Sequence, residues 1–140
     1  SDARVFFDTN VLVYCFDQLE VRKQKIAHAL VLEQGALERG AISYQVEQEF
    51  LSVAIKMLRT PESVRRIHEG FQHLAAGLEM VQSSEKLFLD ALILWERYSL
   101  AWYDSLILAA ARSARCSIVY SEDLQDGLTL NGMRIVNPFR

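Results

Sequence analysis

Apolar and polar residues follow two different patterns along the chain. Short runs of consecutive apolar residues occur near residues 4–8, 41–43, 78–81, 117–120 and 133–136. Runs of this length, rich in Val, Ile and aromatic residues and bounded by polar or turn-forming residues, are typical of buried strands. The pattern therefore predicts about five strands, all of them short.

The stretches between these runs are longer, and in them apolar residues recur every three or four positions, as on one face of a helix. They predict helices at residues 11–16, 20–39, 45–58, 60–77, 84–99 and 104–115. We expect Gly40 to terminate the second helix and Pro61 to begin the fourth. Because strands alternate with helices, the sequence predicts an α/β fold with three layers and a parallel sheet.

Four acidic residues stand at positions that this fold can bring together. Asp8 and Asp123 come just after two predicted strands, and Glu49 and Asp104 come early in two predicted helices. The carboxyl ends of parallel strands form the functional edge of such a sheet, and right-handed crossovers begin helices on that same side. The four carboxylates can therefore converge at one edge of the sheet.

A converged cluster of carboxylates needs a positive charge, because mutual repulsion otherwise raises the pKa values. The four segments VFFDTN, QVEQEF, AWYDSLILAAA and IVYSEDLQD contain no Lys, Arg or His. A bound cation is the simplest remedy, and oxygen-only sites suit Mg²⁺ or Mn²⁺ better than zinc. The sequence thus predicts a divalent-metal site of the kind that handles phosphate esters.

Each acid also has a purely structural interpretation. Asp8 could cap the following helix, a position that Asp favours; as a metal ligand, its carboxylate would be held by Thr9 or Asn10. Asp104 could stabilise the first turn of its helix through the helix dipole. It borders an apolar face that includes Ile107, however, and a carboxylate in such a place needs a partner.

Two choices lie between neighbouring acids. Glu49 is preferred to Glu47 as a ligand, although periodicity does not separate them, and a solvated surface charge is the expectation for Glu47. In the turn-like segment SEDLQDG, Asp123 is preferred because it is nearer the strand, with Asp126 as an accessory metal ligand. Ser121 would orient the site or bind a phosphate.

Composition narrows the class of protein without choosing its substrate. The 140 residues, 51% of them hydrophobic, fit one domain spanning residues 1–140. The formal net charge of −3 argues mildly against nucleic acid, yet without the four proposed ligands the 18 acidic residues fall to 14, against 15 basic ones. With no apolar stretch long enough for a membrane span and no targeting signal, we expect a cytoplasmic protein without membrane contact.

The remaining chemistry-bearing residues suggest structural roles. Cys15 and Cys116 are far apart in apolar surroundings, which favours buried free thiols over a disulfide or a zinc site. Tyr44, Trp102 and Tyr103 flank the proposed ligands; core packing is the expectation and stacking on a base is the alternative. The sequence contains no Walker A, GxGxxG or GxSxG motif, which disfavours ATP, dinucleotide and covalent-nucleophile chemistry.

Taken together, the segments VFFDTNVLVY, AISYQVEQEF, LAWYDSLILAAA and CSIVYSEDLQDG resemble the PIN-domain family in order and spacing, over essentially the whole chain. Each motif is weak alone, whereas the ordered set is specific. The single-domain form is similar to the VapC-like toxins of bacterial toxin–antitoxin operons, which are Mg²⁺- or Mn²⁺-dependent endoribonucleases. The resemblance implies an RNA substrate, one or two metal ions, a homodimer, and silencing by a small cognate antitoxin.

The resemblance also implies a residue assignment and a sheet order. By motif position, the catalytic metal-binding acids of the family match Asp8, Glu49, Asp104 and Asp123. Asn10 and Ser121 match its supporting polar positions. The implied fold is a three-layer α/β/α domain whose five parallel strands run in the order 3-2-1-4-5. Gly127 stands where many such toxins have an aromatic residue, which leaves the toxin subgroup open.

Three other functions compete with a nuclease. A receiver-like signalling domain would need an adjacent acidic pair after the first strand and a Lys after the last; this chain has one acid in its DTN segment and ends in Arg140. A haloacid-dehalogenase-like phosphatase would need a second acid at the position of Asn10. A metal-binding PIN module without catalytic activity is compatible with every residue named above.

Overall fold

The computed structural model describes residues 3–140. Its helices are α1 (Thr9–Tyr14), α2 (Val21–Ala36), α3 (Tyr44–Leu58), α4 (Pro61–Leu74), α5 (Glu85–Tyr98) and α6 (Trp102–Ser113). Its strands are β1 (Val5–Phe7), β2 (Gly40–Ser43), β3 (Glu79–Val81), β4 (Ile118–Tyr120), β5 (Thr129–Leu130) and β6 (Met133–Val136). All predicted helices and strands are present, and β5 is an addition to them.

The sheet has the order β3-β2-β1-β4-β6-β5. The pairs β3–β2, β2–β1, β1–β4 and β4–β6 are parallel, so the five strands predicted from the sequence lie in the expected order 3-2-1-4-5. Strand β5 pairs with β6 in the antiparallel sense at the edge. The turn between them consists of Asn131 and Gly132, both with positive φ, 49° and 83°, as a two-residue hairpin requires.

Helices cover both faces of the sheet in the expected three-layer α/β/α arrangement. Helix α6 packs against α5 and β2, while α3 packs against α1 and α4. The central strand β1 is buried along its whole length, which explains its unbroken apolar sequence. The largest fully buried side chains include Phe6, Phe7, Leu12, Ile42 and Leu108. Among residues 3–140, no helix combines the length and hydrophobicity that a bilayer crossing requires.

Gly40 does not terminate the second helix, as the sequence suggested. Helix α2 ends at Ala36, and Glu38, with φ 56°, makes the left-handed residue of the turn. Gly40 instead opens β2 opposite Val5 of β1. A Cβ on Gly40 would lie 2.5 Å from Cδ2 of Leu78. The glycine therefore serves close packing around β2, and the helix ends without it.

The carboxyl edge of the sheet gathers the ends of several elements. Asp8 follows β1 at once, and its backbone N–H donates to the carbonyl of Tyr120, the last residue of β4, at 3.0 Å. Ser43 ends β2 and caps α3 by accepting a hydrogen bond from the Val46 N–H at 3.3 Å. Helix α6 begins at Trp102, two residues before the predicted start. The predicted carboxylates are thereby brought to one edge.

Candidate active site

Asp8 is the most enclosed carboxylate at this edge, with 8% of its surface exposed. It caps α1, because its Oδ1 accepts a hydrogen bond from the Thr9 N–H at 2.8 Å. Its Oδ2 accepts one from the Ser121 hydroxyl at 2.8 Å and lies 3.3 Å from Nδ2 of Asn10. The capping role considered above is thus present, alongside contacts that join Asp8 to the segment after β4.

Burial raises the pKa of the Asp8 carboxyl from 3.8 to about 6. Hydrogen bonds from Ser121 and Thr9 act in the opposite direction, and the nearby carboxylates of Glu49 and Asp123 raise the pKa further. Glu49 and Asp123 therefore lie close enough to Asp8 for repulsion to be felt. A cation placed among these groups would reverse the shift, because it stabilises the charged form.

Glu49 lies in the second turn of α3, half-buried, and both of its carboxylate oxygens accept hydrogen bonds. The Thr9 hydroxyl donates to Oε1 at 2.5 Å, and the Gln45 amide donates to Oε2 at 3.1 Å. The same Gln45 nitrogen lies 3.2 Å from the backbone carbonyl of Tyr103 in α6. Thr9 therefore supports the site through Glu49 with its side chain and through Asp8 with its backbone.

Asp104 lies in the first turn of α6 and is also half-buried. Burial, and then the carboxylates of Glu49 and Asp123, raise the pKa of Asp104 above its ordinary value. Within residues 3–140 no hydrogen-bond donor offsets this rise. Asp104 is therefore the member of the cluster with the least support from protein donors.

Asp123 is exposed, and Asn10 links it to the rest of the cluster. The Asn10 Nδ2 lies 3.3 Å from Oδ2 of Asp123 and 3.2 Å from the Ser121 hydroxyl oxygen. The Asn10 carbonyl oxygen accepts a hydrogen bond from the Glu122 N–H at 3.0 Å. One amide side chain thus ties α1 to the segment after β4, and with it the positions of Asp8 and Asp123.

The chemistry of this cluster fits a hard divalent cation, since all of its donors are oxygens. Within residues 3–140, however, no three acidic, histidine or cysteine side chains are posed to share one ion. Glu49 is turned to Thr9 and Gln45 instead, and Asp123 is turned to Asn10. Hydrogen bonds from neutral donors stabilise the charged form of a carboxylate, as a cation would. Holding a metal therefore requires these side chains to reorient.

A family model for the PIN domain matches residues 5–125. The chain belongs to the PIN domain family. The match extends from β1 through the segment after β4, so it contains Asp8, Glu49, Asp104 and Asp123. The resemblance drawn from the four sequence motifs is confirmed.

Solved structures share the fold of this PIN domain at low sequence identity. A toxin–antitoxin complex from Klebsiella pneumoniae has 22% identity and a TM-score of 0.67, over 96% of this chain and 97% of that chain. FitAcB from Neisseria gonorrhoeae has 17% identity and a TM-score of 0.66, over 96% and 98%. VapC20 from Mycobacterium tuberculosis, a toxin that cleaves the sarcin-ricin loop, has 13% identity and a TM-score of 0.60, over 85% and 89%. Comparison with curated protein sequences gives no match.

Two residues of the PIN domain site escaped the sequence analysis. Gln45 bridges Glu49 and α6, as described above. Glu122, next to Asp123, accepts hydrogen bonds from the Tyr14 hydroxyl, at 2.6 Å, and from the Lys23 ammonium. Although burial alone would raise the pKa of Glu122, these two donors lower it below its ordinary value. Glu122 therefore anchors the Asp123 segment to α1 and α2.

Two other acids lie outside the cluster. The Asp126 oxygens accept hydrogen bonds from the Asn137 N–H at 2.7 Å and from the Arg140 guanidinium at 3.3 Å, so we leave Asp126 out of the proposed ligand set. Glu47 was expected to be a solvated charge, but its carboxylate lies 2.7 Å from Nε2 of His68. This contact joins α3 to α4, and a helix-to-helix contact is Glu47's role.

The aromatic residues beside the site divide into two kinds. Trp102 packs edge-on against Phe88, with ring centroids 5.1 Å apart. Tyr44 and Tyr103, which were expected to pack in the core, are 45% and 66% exposed. Both tyrosines are free to contact a ligand at the carboxyl edge of the sheet.

Proposed function

We propose that this PIN domain is a metal-dependent endoribonuclease that hydrolyses phosphodiester bonds in RNA. One observation carries the proposal: Asp8, Glu49, Asp104 and Asp123 meet at the carboxyl edge of the sheet, and repulsion helps to raise the pKa values of Asp8 and Asp104. In the described part of the chain, the donors bonded to these acids are neutral. A divalent cation is the counter-charge that such a cluster takes.

The residues of the cluster would have different roles in holding the metal. The four carboxylates would hold Mg²⁺ or Mn²⁺ as one or two ions, and the bound metal would supply an activated water and charge stabilisation at the leaving oxygen. Asp8 is held rigidly by Ser121 and by the Thr9 N–H, and so provides a fixed ligand. Within residues 3–140, Asp104 has no hydrogen-bond donor to release before it turns to an ion. Asn10 keeps the segments that carry Asp8 and Asp123 together.

Ser121 is arranged to support the site and not to attack the substrate. Its side-chain oxygen donates to Asp8 at 2.8 Å and accepts from the N–H groups of Asp123 and Leu124 at 3.2 and 3.1 Å. Ser121 is also fully buried. These contacts support hydrolysis by water, without a covalent intermediate on the protein.

We further infer that the protein is the toxin of a type II toxin–antitoxin pair. The similar structures include a toxin–antitoxin complex and an RNA-cleaving toxin. A small cognate antitoxin would be the inhibitor, a cytoplasmic location would give access to cellular RNA, and a homodimer would be the working form. The homodimer has independent support in the large apolar side chains that α5 exposes.

The test is cleavage of end-labelled RNA by purified protein in Mg²⁺, in Mn²⁺ and in EDTA. We expect cleavage in either metal and none in EDTA, and we expect the Asp8→Ala variant to be inactive, which excludes a contaminating nuclease. Equal cleavage in EDTA would remove the metal mechanism. Absence of cleavage in both metals, with Mn²⁺ still bound, would favour a PIN module that holds metal without activity.

A further inference from the structure

A cavity of about 240 Å³ lies beside the carboxylate cluster, where the starts of α3, α5 and α6 come together. We call it the Gln48 cavity and define it by Gln45, Gln48, Ser83, Phe88 and Tyr103, which are among the residues lining it. It is smaller than the roughly 300 to 1,000 Å³ of pockets that hold drug-sized ligands. A single ring system is therefore the size of ligand that it accommodates.

The Gln48 cavity borders the proposed active site. Gln45 lines the cavity, and its side-chain nitrogen contacts both Glu49 of the cluster, at 3.1 Å, and the carbonyl of Tyr103, at 3.2 Å. Tyr103 in turn immediately precedes Asp104. A chain whose phosphate lies at the carboxylates can thus place a neighbouring group in the cavity.

In the part of the chain that the structure describes, the absence of charged residues from the cavity lining indicates which class of ligand fits. The residues that line the Gln48 cavity are all uncharged. A phosphate would find no cation there, and a metal ion would find no carboxylate. A neutral group with apolar faces and polar edges matches a lining that mixes aromatic, aliphatic, amide and hydroxyl side chains.

The polar and aromatic groups are placed to recognise such a ring. The Gln48 side chain is exposed and, within residues 3–140, makes no hydrogen bond to another side chain. Its amide can donate and accept at once, as glutamine does when it pairs with a base edge. Phe88 and Tyr103 are 48% and 66% exposed, and exposed aromatic rings are the usual platforms for unpaired bases of RNA.

We propose that the Gln48 cavity binds one unpaired nucleobase of the RNA, adjacent to the phosphate that is cleaved, and that Gln48 reads the edge of that base. This inference rests on the proposed function for the position of the RNA. The stacking surface is supplied by Phe88 and Tyr103. The cavity thereby sets the cleavage preference at one nucleotide position.

The first arm of the test measures cleavage specificity. Once the cleavage site of a single-stranded RNA is mapped in Mn²⁺, kcat/KM is compared for substrates with A, C, G or U at each nucleotide flanking it. We expect a preference at one flanking position that Gln48→Ala reduces by roughly tenfold, the order expected for a lost base contact. Gln72→Ala, which alters an exposed glutamine of α4 outside the cavity, is the matched control and should leave the preference unchanged. An equal effect of Gln48→Ala on all four bases, or no effect, would overturn the proposal.

The second arm measures binding without catalysis. A single-stranded RNA that carries the fluorescent base 2-aminopurine at the preferred position, or at successive positions if no cleavage is found, is titrated with protein in EDTA. We expect stacking in the cavity to quench the fluorescence, and Tyr103→Leu and Gln48→Ala each to remove most of the quenching. Tyr103→Leu keeps the backbone carbonyl that Gln45 contacts, so the cluster is left intact.

The two arms separate the cavity from the nuclease activity. If the protein cleaves no RNA but quenches 2-aminopurine in a manner that depends on Gln48 and Tyr103, the proposed function fails and the base site stands. If the protein cleaves RNA but neither variant alters quenching or base preference, the nuclease stands and the base site is refuted. Circular dichroism of both variants verifies that the fold is retained.

Discussion

In the metal-free protein, ionisation of the buried Asp8 carboxyl lowers the free energy of unfolding. An asparagine at this position would not ionise and would lack this penalty. The pKa of Asp8 is raised to about 6 in the folded state from an ordinary 3.8, so the folded protein holds this proton more tightly than the unfolded chain does. The penalty for ionising Asp8 therefore grows as pH rises from about 4 and is complete above about 6. At about 1.4 kcal/mol per pKa unit, it is on the order of 3 kcal/mol.

We therefore predict that the change in the free energy of unfolding caused by Asp8→Asn depends on pH. In the metal-free protein, this change should be more stabilising at pH 8 than at pH 4.5. Urea unfolding in EDTA at both pH values measures the difference. Glu62→Gln, which alters an exposed acid paired with Arg66 on α4, is the control and should show no comparable change with pH. The same difference between Asp8→Asn and the native protein at both pH values would contradict the prediction.

Asp104 gives the sharpest test of the ligand assignment. Asp104→Asn removes one negative charge with little change in size, so it should weaken Mn²⁺ binding and abolish most RNA cleavage. Folding should survive, and metal-free stability should be unchanged or higher, because burial raises the pKa of the native carboxyl. Calorimetric Mn²⁺ titration and cleavage assays, run beside Glu62→Gln, provide the measurement. Glu47→Gln is a poorer control, because its carboxylate contacts His68. Full cleavage by Asp104→Asn would show that the ligands are wrongly assigned.

The sequence was informative about single residues where a local motif carries the chemistry. Asp8, Asn10 and Ser121 follow from short segments at strand ends, and the contacts among them agree with the supporting roles expected for Asn10 and Ser121. Gln45 and Glu122 could not be found in this way. Their roles depend on partners distant in sequence, such as the Tyr103 carbonyl 58 residues away from Gln45, which no local pattern reveals.

At the scale of the elements, two glycines are expected to respond in opposite ways to the same substitution. Gly132, with φ 83°, lies in the β5–β6 turn, where a Cβ costs about 1 kcal/mol or more. Gly35 lies in the last turn of α2, and a Cβ there would meet its nearest neighbour at 3.7 Å, an ordinary contact. Gly132→Ala should therefore lower the free energy of unfolding by about 1 kcal/mol, and Gly35→Ala should raise it by roughly 0.5 to 1 kcal/mol.

Urea unfolding of the two alanine variants beside the native protein measures this contrast. Each variant serves as the other's control, since both add one methyl group at a glycine. A stabilised Gly132→Ala would show that the β5–β6 turn does not need its left-handed conformation. A destabilised Gly35→Ala would show that α2 packs more tightly at Gly35 than the 3.7 Å spacing indicates.

The prediction of helix and strand ends was wrong where one residue type is compatible with two structural roles. Gly40 follows a helical stretch and so suggested a helix terminator, yet β2 needs a glycine there to pack beside Leu78. The β5 strand was missed although Asn131-Gly132 is a hairpin signal. With only two residues, it is too short to show a periodic pattern, and its pairing with β6 is what makes it a strand.

For the whole molecule, alternation of strands and helices predicted the three layers, but the spatial order of the strands came from the family resemblance. Strand β1 lies between β2 and β4 because residues far apart in the chain pair with it, Gly40 with Val5 on one side and Ile118 with Val5 on the other. The sequence of a short apolar strand does not indicate which strands pair with it. Sequence patterns therefore predict the elements and their layers better than their arrangement.

One helix suggests that the folded chain is not the complete assembly. Helix α5 buries Ala91 and Leu94 against the rest of the protein, yet its outer surface exposes large apolar side chains. They are Leu89, Leu92, Ile93 and Trp95, between 37% and 51% exposed. Contiguous exposed apolar residues mark interaction surfaces. We expect a second copy of the chain to cover this surface.

Ile93→Glu should accordingly convert a dimer into a monomer, because it places a charge in the middle of this apolar surface, where burial without a partner is costly. Sedimentation velocity at micromolar concentration measures the assembly, with circular dichroism to verify the fold. Leu32→Glu is the matched control: Leu32 of α2 is 49% exposed, against 51% for Ile93, but lies outside the α5 surface, so this variant should remain dimeric. A native protein that sediments as a monomer would refute the homodimer, and dissociation by both variants would remove α5 as its specific interface.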